Sequence, residues 1–319
     1  MISIYKELLE EDLPSEGYYK AEKIGKTSKH RVGINELGQL CLFVYAVSEP
    51  HQSKPSLVYK YISVLFNKKC EIKIESESIE EHFSVITLKT QNKTFQEYFV
   101  RVFSDLLSGD ILNIESLYDR ILNLFNLFTV NKIVSKQTIQ GLFAELLIIL
   151  ASDDKEFFTK AWHIDKSSLY DFSLNNNSYL EVKSTNRTDR IHRFSNQQIQ
   201  FLKTQDSYVI SVMVQESDLG FNIIDISNQI RAQLSTTSSK LKLDKLILET
   251  INSSLDIIED TKFELQYSLD SIQVYKSIVV PYIDKKNIPF EITNLKYDVN
   301  FEDLESMNIN TISFNTFQR

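Results

Sequence analysis

The sequence predicts a mixed fold of the α+β or α/β class. A β-rich N-terminal domain occupies 1–130, and a domain over 131–319 runs αβββαβ before a C-terminal extension of helices and strands. Three observations carry this reading. Short runs through the first 90 positions alternate apolar with polar residues, the period of half-buried strands. The run QTIQGLFAELLIILA (Gln137–Ala151) is apolar on every side of a 3.6-residue turn, which predicts a buried helix. After it, YDFSLNNNSYLEVKST (Tyr170–Thr185) is divided by Asn175-Asn176-Asn177-Ser178, a run of turn formers, and predicts a hairpin.

Taken in order, residues 1–12 form an amphipathic helix with Ile4, Tyr5, Leu8 and Leu9 on one side. GQLCLFVYA, bounded by Gly38, is a strand, and LVYKYISVLF (Leu57–Phe66) fits helix or strand equally. Cys70–Ser78 and His82–Thr90 read as two further strands, and Phe95–Leu107 and Ile114–Phe128 have helical periodicity. The second domain begins near Val134. AWHI (Ala161–Ile164) serves as its first strand, DFSL as its second and YLEVKS as its third. Ser195 and Gln198 then form an S-x-x-Q start for a helix that ends near Thr204, each side chain satisfying a free backbone N–H. DSYVISVMVQE supplies the next strand. DISNQIRAQL and KLKLDKLILETINSS are helical, and FELQYSLDSIQVYKSIVV reads as two strands joined near Asp270-Ser271. The tail from Ile288 receives no assignment.

At 319 residues the chain has room for two domains. Seven Gly and five Pro fall far below the usual shares of about 7% and 5%, so compact domains are expected in place of long flexible linkers. The two cysteines, Cys41 and Cys70, are too few for a disulfide framework or a zinc site and read as small buried thiols. The N-terminus MISIYKELLEEDL lacks the basic-then-apolar order of a signal peptide, and no run reaches the ~18 apolar residues of a membrane span. The expectation is a soluble, cytoplasmic protein with no membrane partner.

A net charge of -8 argues against a generic nucleic-acid coat, which would neutralise phosphates along its whole surface. Locally the balance reverses. Lys183, Arg187, Arg190, Arg193 and Lys203 face only Asp189, with His192 beside them. Lys20, Lys23, Lys26, Lys29 and Arg31 face only Glu22. Basic patches on an acidic chain suit local phosphate contact.

Charged groups inside the apolar framework mark the candidate site. Glu145 lies in the middle of the buried helix, where a lone carboxylate loses several kcal/mol of hydration, roughly, unless a cation or a bound water meets it. Strand alternation puts Glu181, Lys183 and Thr185 on one face, opposite Leu180 and Val182. Folding the hairpin brings Asp171 towards Glu181. Glu145, Asp171, Glu181 and Lys183 therefore read as one site.

This order of helix Glu, strand Asp and strand Glu-x-Lys resembles the PD-(D/E)XK nuclease superfamily, whose core runs αβββαβ. EVKST followed by RIHRFSNQQIQFL resembles a bacterial group within it found beside restriction and phage-defence genes. The matching motifs cover Gln137 to Gln215, and Tyr170 stands where the motif has Pro, a position without chemistry. Other acid-x-Lys triplets occur at Glu71/Lys73, Asp260/Lys262 and Asp284/Lys286, but none follows both a buried helical acid and a strand acid one hairpin upstream.

The resemblance implies a restriction-endonuclease-like core and a metal-dependent DNA endonuclease of a restriction or anti-phage system. Hard oxygen ligands, with no Cys or His cluster nearby, suit Mg²⁺ or Mn²⁺. Asp171, Glu181 and the backbone carbonyl of Val182 would bind the ion, and Glu145 a metal-bound water or a second ion. Lys183 would orient the attacking water and stabilise phosphate charge. Thr185, Arg187, Arg190, His192, Arg193 and Gln197 are placed to meet DNA, and related nucleases lend Gln198 the same role. The expected partners are DNA, a second copy of the chain and other subunits of a defence complex. A nuclease-fold module that binds or scaffolds without cutting, and an RNA nuclease, are the rival readings. For the N-terminal domain, reading DNA, docking a partner and pairing two subunits all remain open.

Overall fold

The computed structural model describes residues 1–307, apart from 27, 48–53, 75–76, 108–112, 126–133, 164–168, 175–177, 205 and 252–254. The chain divides into two compact units, Met1–Ile133 and Val134–Arg319.

The first unit opens with helix α1 (Ile2–Glu10), followed by strands β1 (Tyr19–Lys23), β2 (Arg31–Asn35), β3 (Leu40–Val44), β4 (Leu57–Val58), β5 (Ile62–Ile74) and β6 (Glu77–Leu88). These make one antiparallel sheet in the order β1-β2-β3-β6-β5-β4. Gly33 lets β1 and β2 close together, since a Cβ there would sit 2.4 Å from the Lys20 carbonyl oxygen. Helices α2 (Lys93–Leu106) and α3 (Ile114–Phe125) complete the unit, α2 packing Phe95, Tyr98, Phe99 and Phe103 into its core.

Two sequence expectations change here. LVYKYISVLF resolves to β4 and the start of β5. Cys70–Ser78 is not a strand of its own but the end of β5 and the beginning of β6. The long β5 absorbs both because its register shifts between Leu65 and Lys68, around Asn67 at φ +48°, so a local irregularity hid the continuity. The helix expected to reach Phe128 is described as far as Phe125.

The second unit begins with α4 (Lys136–Ala151), capped where the Ser135 hydroxyl accepts from the Thr138 N–H. Its apolar residues Ile139, Leu142, Phe143, Ala144 and Leu146 to Ile149 are buried, as all-round hydrophobicity requires. Then come α5 (Lys155–Ala161), β7 (Phe172–Ser173), β8 (Ser178–Thr185), β9 (Ile191–Ser195), α6 (Asn196–Lys203), β10 (Asp206–Met213) and β11 (Glu216–Phe221). Helices α7 (Ile223–Gln233), α8 (Thr237–Ile251), α9 (Leu255–Asp260) and α10 (Leu265–Asp270) follow, and β12 (Gln273–Lys276) and β13 (Lys296–Asn300) close the unit.

The central sheet has the order β12-β10-β8-β7. Strands β8 and β10 are parallel, with α6 on the connection between them, while β7 and β12 are antiparallel to their neighbours. Helix α4 lies against β8, α7 and α8. Because β8 is flanked on both edges and covered by α4, its side chains sit at the middle of the unit.

The mixed α and β architecture and the hairpin pairing of β7 with β8 agree with the sequence reading, although the turn residues 175–177 lie outside the described residues. AWHI does not form a first strand. Ala161 ends α5, Trp162 makes a single bridge to Phe172, and His163 takes a left-handed backbone at φ +41°; Ile164 lies outside the described residues. FELQYSLDSIQVYKSIVV is strand only in its second half. Its first half is α10 despite the two-residue apolar period, and the Ser268 hydroxyl donates to the Glu264 carbonyl while the Gln266 amide donates to Asp270 one turn on.

The unassigned tail also has a structural part. Strand β13 pairs antiparallel with β9, and Val299 and Phe301 enter a core formed with Phe194, Ile199, Leu202, Val209, Tyr275 and Val280. Among the described residues no helix is long and apolar enough to cross a membrane.

Candidate metal centre

Four chain segments bring ionisable side chains together. Helix α4 contributes Glu145, which is the half-buried member of an otherwise buried run. Its Oε2 accepts from Trp162 Nε1 at 2.7 Å and lies 2.8 Å from His163 Nε2. The indole fixes the direction of the carboxylate, because a fully buried Trp N–H needs an acceptor. The His163 N–H donates to the Asp171 carbonyl oxygen at 2.8 Å, which ties the segment after α5 to the start of β7.

Asp171 sits where β7 opens. Its N–H donates to the Leu180 carbonyl, and its Oδ2 accepts from the Val182 N–H at 2.7 Å, so the carboxylate caps the edge of β8 just past the short partner strand. The Val182 carbonyl faces the same edge, since the N–H and C=O of one strand residue point to the same side. Glu181 is buried and accepts from Lys183 Nζ at 2.6 Å through Oε1. Its Oε2 is buried with no hydrogen-bond partner. The Lys183 ammonium also lies 5.0 Å above the Phe194 ring.

The electrostatics follow from crowding. Burial, then the charges of Glu181 and Glu145, push the Asp171 carboxyl well above the usual carboxylate range, against the pull of the Val182 N–H and Lys183. Burial raises Glu181 as well, with Lys183 opposing and the Gln198 side chain acting in the same direction as Lys183. Burial works against the charge on Lys183, but Glu181, Asp171 and Glu145 outweigh it, and its pKa rises above the ordinary value. A protonated amine thus stands among carboxylates that repel one another.

One group with metal-binding spacing, among the described residues, is Glu145, His163 and Asp171, whose ligand atoms all lie within 4.8 Å of one another. Glu181 is outside that group, but its charge acts on Asp171. A divalent ion fits here on two counts: Glu181 and Glu145 both push the Asp171 carboxyl up, a crowding of negative charge that a cation relieves, and the neighbouring Glu181 keeps a buried carboxylate oxygen without a hydrogen-bond partner.

A match to a family model covers residues 1–302, and that family is described as "Putative PD-(D/E)XK family member, (DUF4420)". The chain belongs to this family. No curated protein and no solved structure matches it. The match extends well beyond the quarter of the chain that carries the motifs and takes in the β-rich N-terminal unit, so that unit is part of what the PD-(D/E)XK family members of this type share.

For a PD-(D/E)XK family member, the segment expected to meet DNA is placed unexpectedly. Strand β9 runs through it. Arg190 is buried and donates through Nη1 to the Ser211 hydroxyl and carbonyl at 2.8 and 3.2 Å, and through Nη2 to the Ser271 carbonyl at 2.9 Å. His192 is 2% exposed, with Nε2 2.6 Å from the same Ser211 hydroxyl and its ring against Phe301. Thr185 is buried, its hydroxyl accepting from the Arg187 N–H. The structure therefore places Thr185, Arg190 and His192 inside the unit rather than on a DNA-facing surface. Arg193 is exposed but paired with Asp298 of β13 at 2.8 Å. Arg187 and Gln197 are exposed.

Gln198 does not complete the reciprocal cap. Ser195 accepts from its backbone N–H, but the Gln198 amide donates to the Leu169 carbonyl at 2.9 Å, which directs it towards the site.

Sequence reasoning missed His163 and Trp162, having read them as strand and having found no histidine near the carboxylates. A tryptophan in an apolar stretch needs a buried acceptor, and Glu145 was the unpaired acid available. That need was the available clue.

The buried His192 carries a pH dependence. Burial, with Arg190 and Lys183 nearby, lowers its pKa to about 3, against about 6.5 in an unfolded chain. Between those values the unfolded chain takes up a proton that the folded chain refuses. Stability is therefore complete above about pH 6.5 and falls as pH drops towards 3, by up to about 1.4 kcal/mol per pH unit from this group. Denaturant titrations at pH 7, 6, 5 and 4 should give a shallower slope for His192→Gln than for the native chain. Equal slopes would contradict the assignment.

Proposed function

We propose that the chain is a metal-dependent endonuclease that hydrolyses DNA phosphodiesters and serves a bacterial restriction or anti-phage system in the cytoplasm. The observation that carries the reading is the convergence of Glu145 from α4, Asp171 from the residue before β7 and Glu181 from β8 beside a Lys183 ammonium paired to Glu181. Family membership supports it.

In this reading Asp171, Glu181 and the Val182 carbonyl hold a divalent ion, Mg²⁺ or Mn²⁺, and Glu145 holds a bound water or a second ion. When bound, the ion supplies a water acidic enough to attack and neutralises charge on the phosphate. The residues of the chain do the rest. Lys183 stays protonated among its acidic neighbours, so it orients the attacking water and stabilises phosphate charge instead of acting as a neutral base. Trp162 keeps the Glu145 carboxylate directed into the site. The exposed Arg187 and Gln197, with Gln198 behind them, meet the phosphate backbone. A second copy of the chain, or other defence subunits, would supply the opposite strand's cut or the recognition.

The test is cleavage. Purified protein incubated with supercoiled plasmid and Mn²⁺ or Mg²⁺ should convert it to nicked and linear forms, and chelation should stop the reaction. Retention of the plasmid without conversion would favour a DNA-binding scaffold, and cutting of RNA alone would reassign the substrate.

A further inference from the structure

We propose that His163 is a direct ligand of the metal through Nε2, and that this nitrogen makes the centre prefer Mn²⁺ to Mg²⁺. The proposal rests on the metal-site reading above and adds to it a ligand and an ion. Three observations support it. First, His163 Nε2 lies 2.8 Å from Glu145 Oε2, and His163, Glu145 and Asp171 offer ligand atoms that all lie within 4.8 Å of one another. Adjacent ligands of an octahedral ion with bonds of ~2.1 Å are about 3 Å apart, so the Glu145–His163 spacing suits one ion. Second, His163 holds a left-handed backbone at φ +41°, a conformation that costs a non-glycine residue about 1 kcal/mol or more and that persists where the side chain's position matters. Third, the His163 N–H is held by the Asp171 carbonyl and the neighbouring Trp162 indole holds the Glu145 carboxylate that the imidazole meets, so the backbone and its facing acid are positioned before any ion arrives.

The consequence for selectivity is chemical. Mg²⁺ demands oxygen donors and gives up its waters reluctantly, whereas a first-row ion accepts a mixed set of carboxylates and one imidazole. A site made from Asp171, Glu145 and Glu181 alone would accept either ion through oxygen donors. The His163 nitrogen adds a donor that suits Mn²⁺ better than Mg²⁺ and so widens the difference between them.

The experiment uses the full chain and Mn²⁺ as the probe. Pulsed electron paramagnetic resonance of the Mn²⁺-loaded protein should show ¹⁴N modulation from a coordinated imidazole, and calorimetry should give Mn²⁺ at least tenfold tighter binding than Mg²⁺. His163→Asn keeps a residue tolerant of the left-handed backbone, so the fold is retained. In that variant the ¹⁴N modulation should vanish and the Mn²⁺ preference should shrink several-fold. Mn²⁺ that binds the native chain without ¹⁴N modulation would overturn the proposal and leave a His163 that only orients Glu145, with the carboxylate site intact. No Mn²⁺ binding at all would overturn both the proposal and the metal-site reading beneath it.

Discussion

Lys183→Ala should reduce DNA hydrolysis by about 10²–10³-fold or more, the loss that follows when one donor aimed at transition-state charge is removed. It should also destabilise the metal-free protein. Lys183 is the partner of Glu181, whose side chain is 4% exposed and whose Oε2 already has none. Removing the amine leaves a buried, uncompensated carboxylate, at a cost of about 3–5 kcal/mol. The two effects separate in the double variant. Glu181→Gln on the Lys183→Ala background removes the orphaned charge and should recover most of the stability while hydrolysis stays lost. Thermal denaturation and plasmid cleavage on the three proteins check this. Full activity in Lys183→Ala would remove the amine from the mechanism, and an unchanged melting temperature would mean that Glu181 is solvated.

Arg190→Ala should behave differently from a phosphate-contact variant. The Arg190 guanidinium is buried and makes three hydrogen bonds, two to Ser211 in β10 and one to the Ser271 carbonyl just before β12. Truncation leaves those acceptors unmet inside the unit and opens a cavity between strands, an expected loss of about 3 kcal/mol or more. The His192 imidazole, 2.6 Å from the same Ser211 hydroxyl, should lose order with it. Urea denaturation measures the effect. A variant with native stability and weakened DNA binding would instead restore Arg190 to the substrate-facing role that its sequence position suggests.

Arg190 marks where reading the sequence stops. The buried α4 and the β7–β8 hairpin were legible because local rules govern them: a helix apolar on every side, alternation in YLEVKS, and a turn-forming run between two strands. Glu145, Asp171, Glu181 and Lys183 could be grouped because a charge inside an apolar element is costly, and that cost does not depend on knowing the fold. By contrast, RTDRIHRF reads as a basic surface segment until β13 is known. Strand β13 comes from a tail more than 100 positions later in the chain, and its pairing turns IHRFS into a strand with His192 inward and Arg193 outward against Asp298. Long-range pairing of that kind leaves no local signature.

His163 was hidden for a related reason. AWHI has the composition of a strand, but α5 consumes Ala161 and the chain turns sharply at His163 to deliver its imidazole to Glu145. The misreading of FELQYSLD came from the apolar period alone, which a six-residue helix can mimic when side-chain hydrogen bonds and neighbouring elements hold it.

Anomalous scattering from a crystal soaked in Mn²⁺ tests whether the acids of the site share an ion. A peak is expected within about 2.5 Å of carboxylate oxygens from both Asp171 and Glu181, with Lys183 beside it. Manganese found only on distant surface carboxylates, or an Asp171–Glu181 pair left without an ion at saturating Mn²⁺, would contradict it.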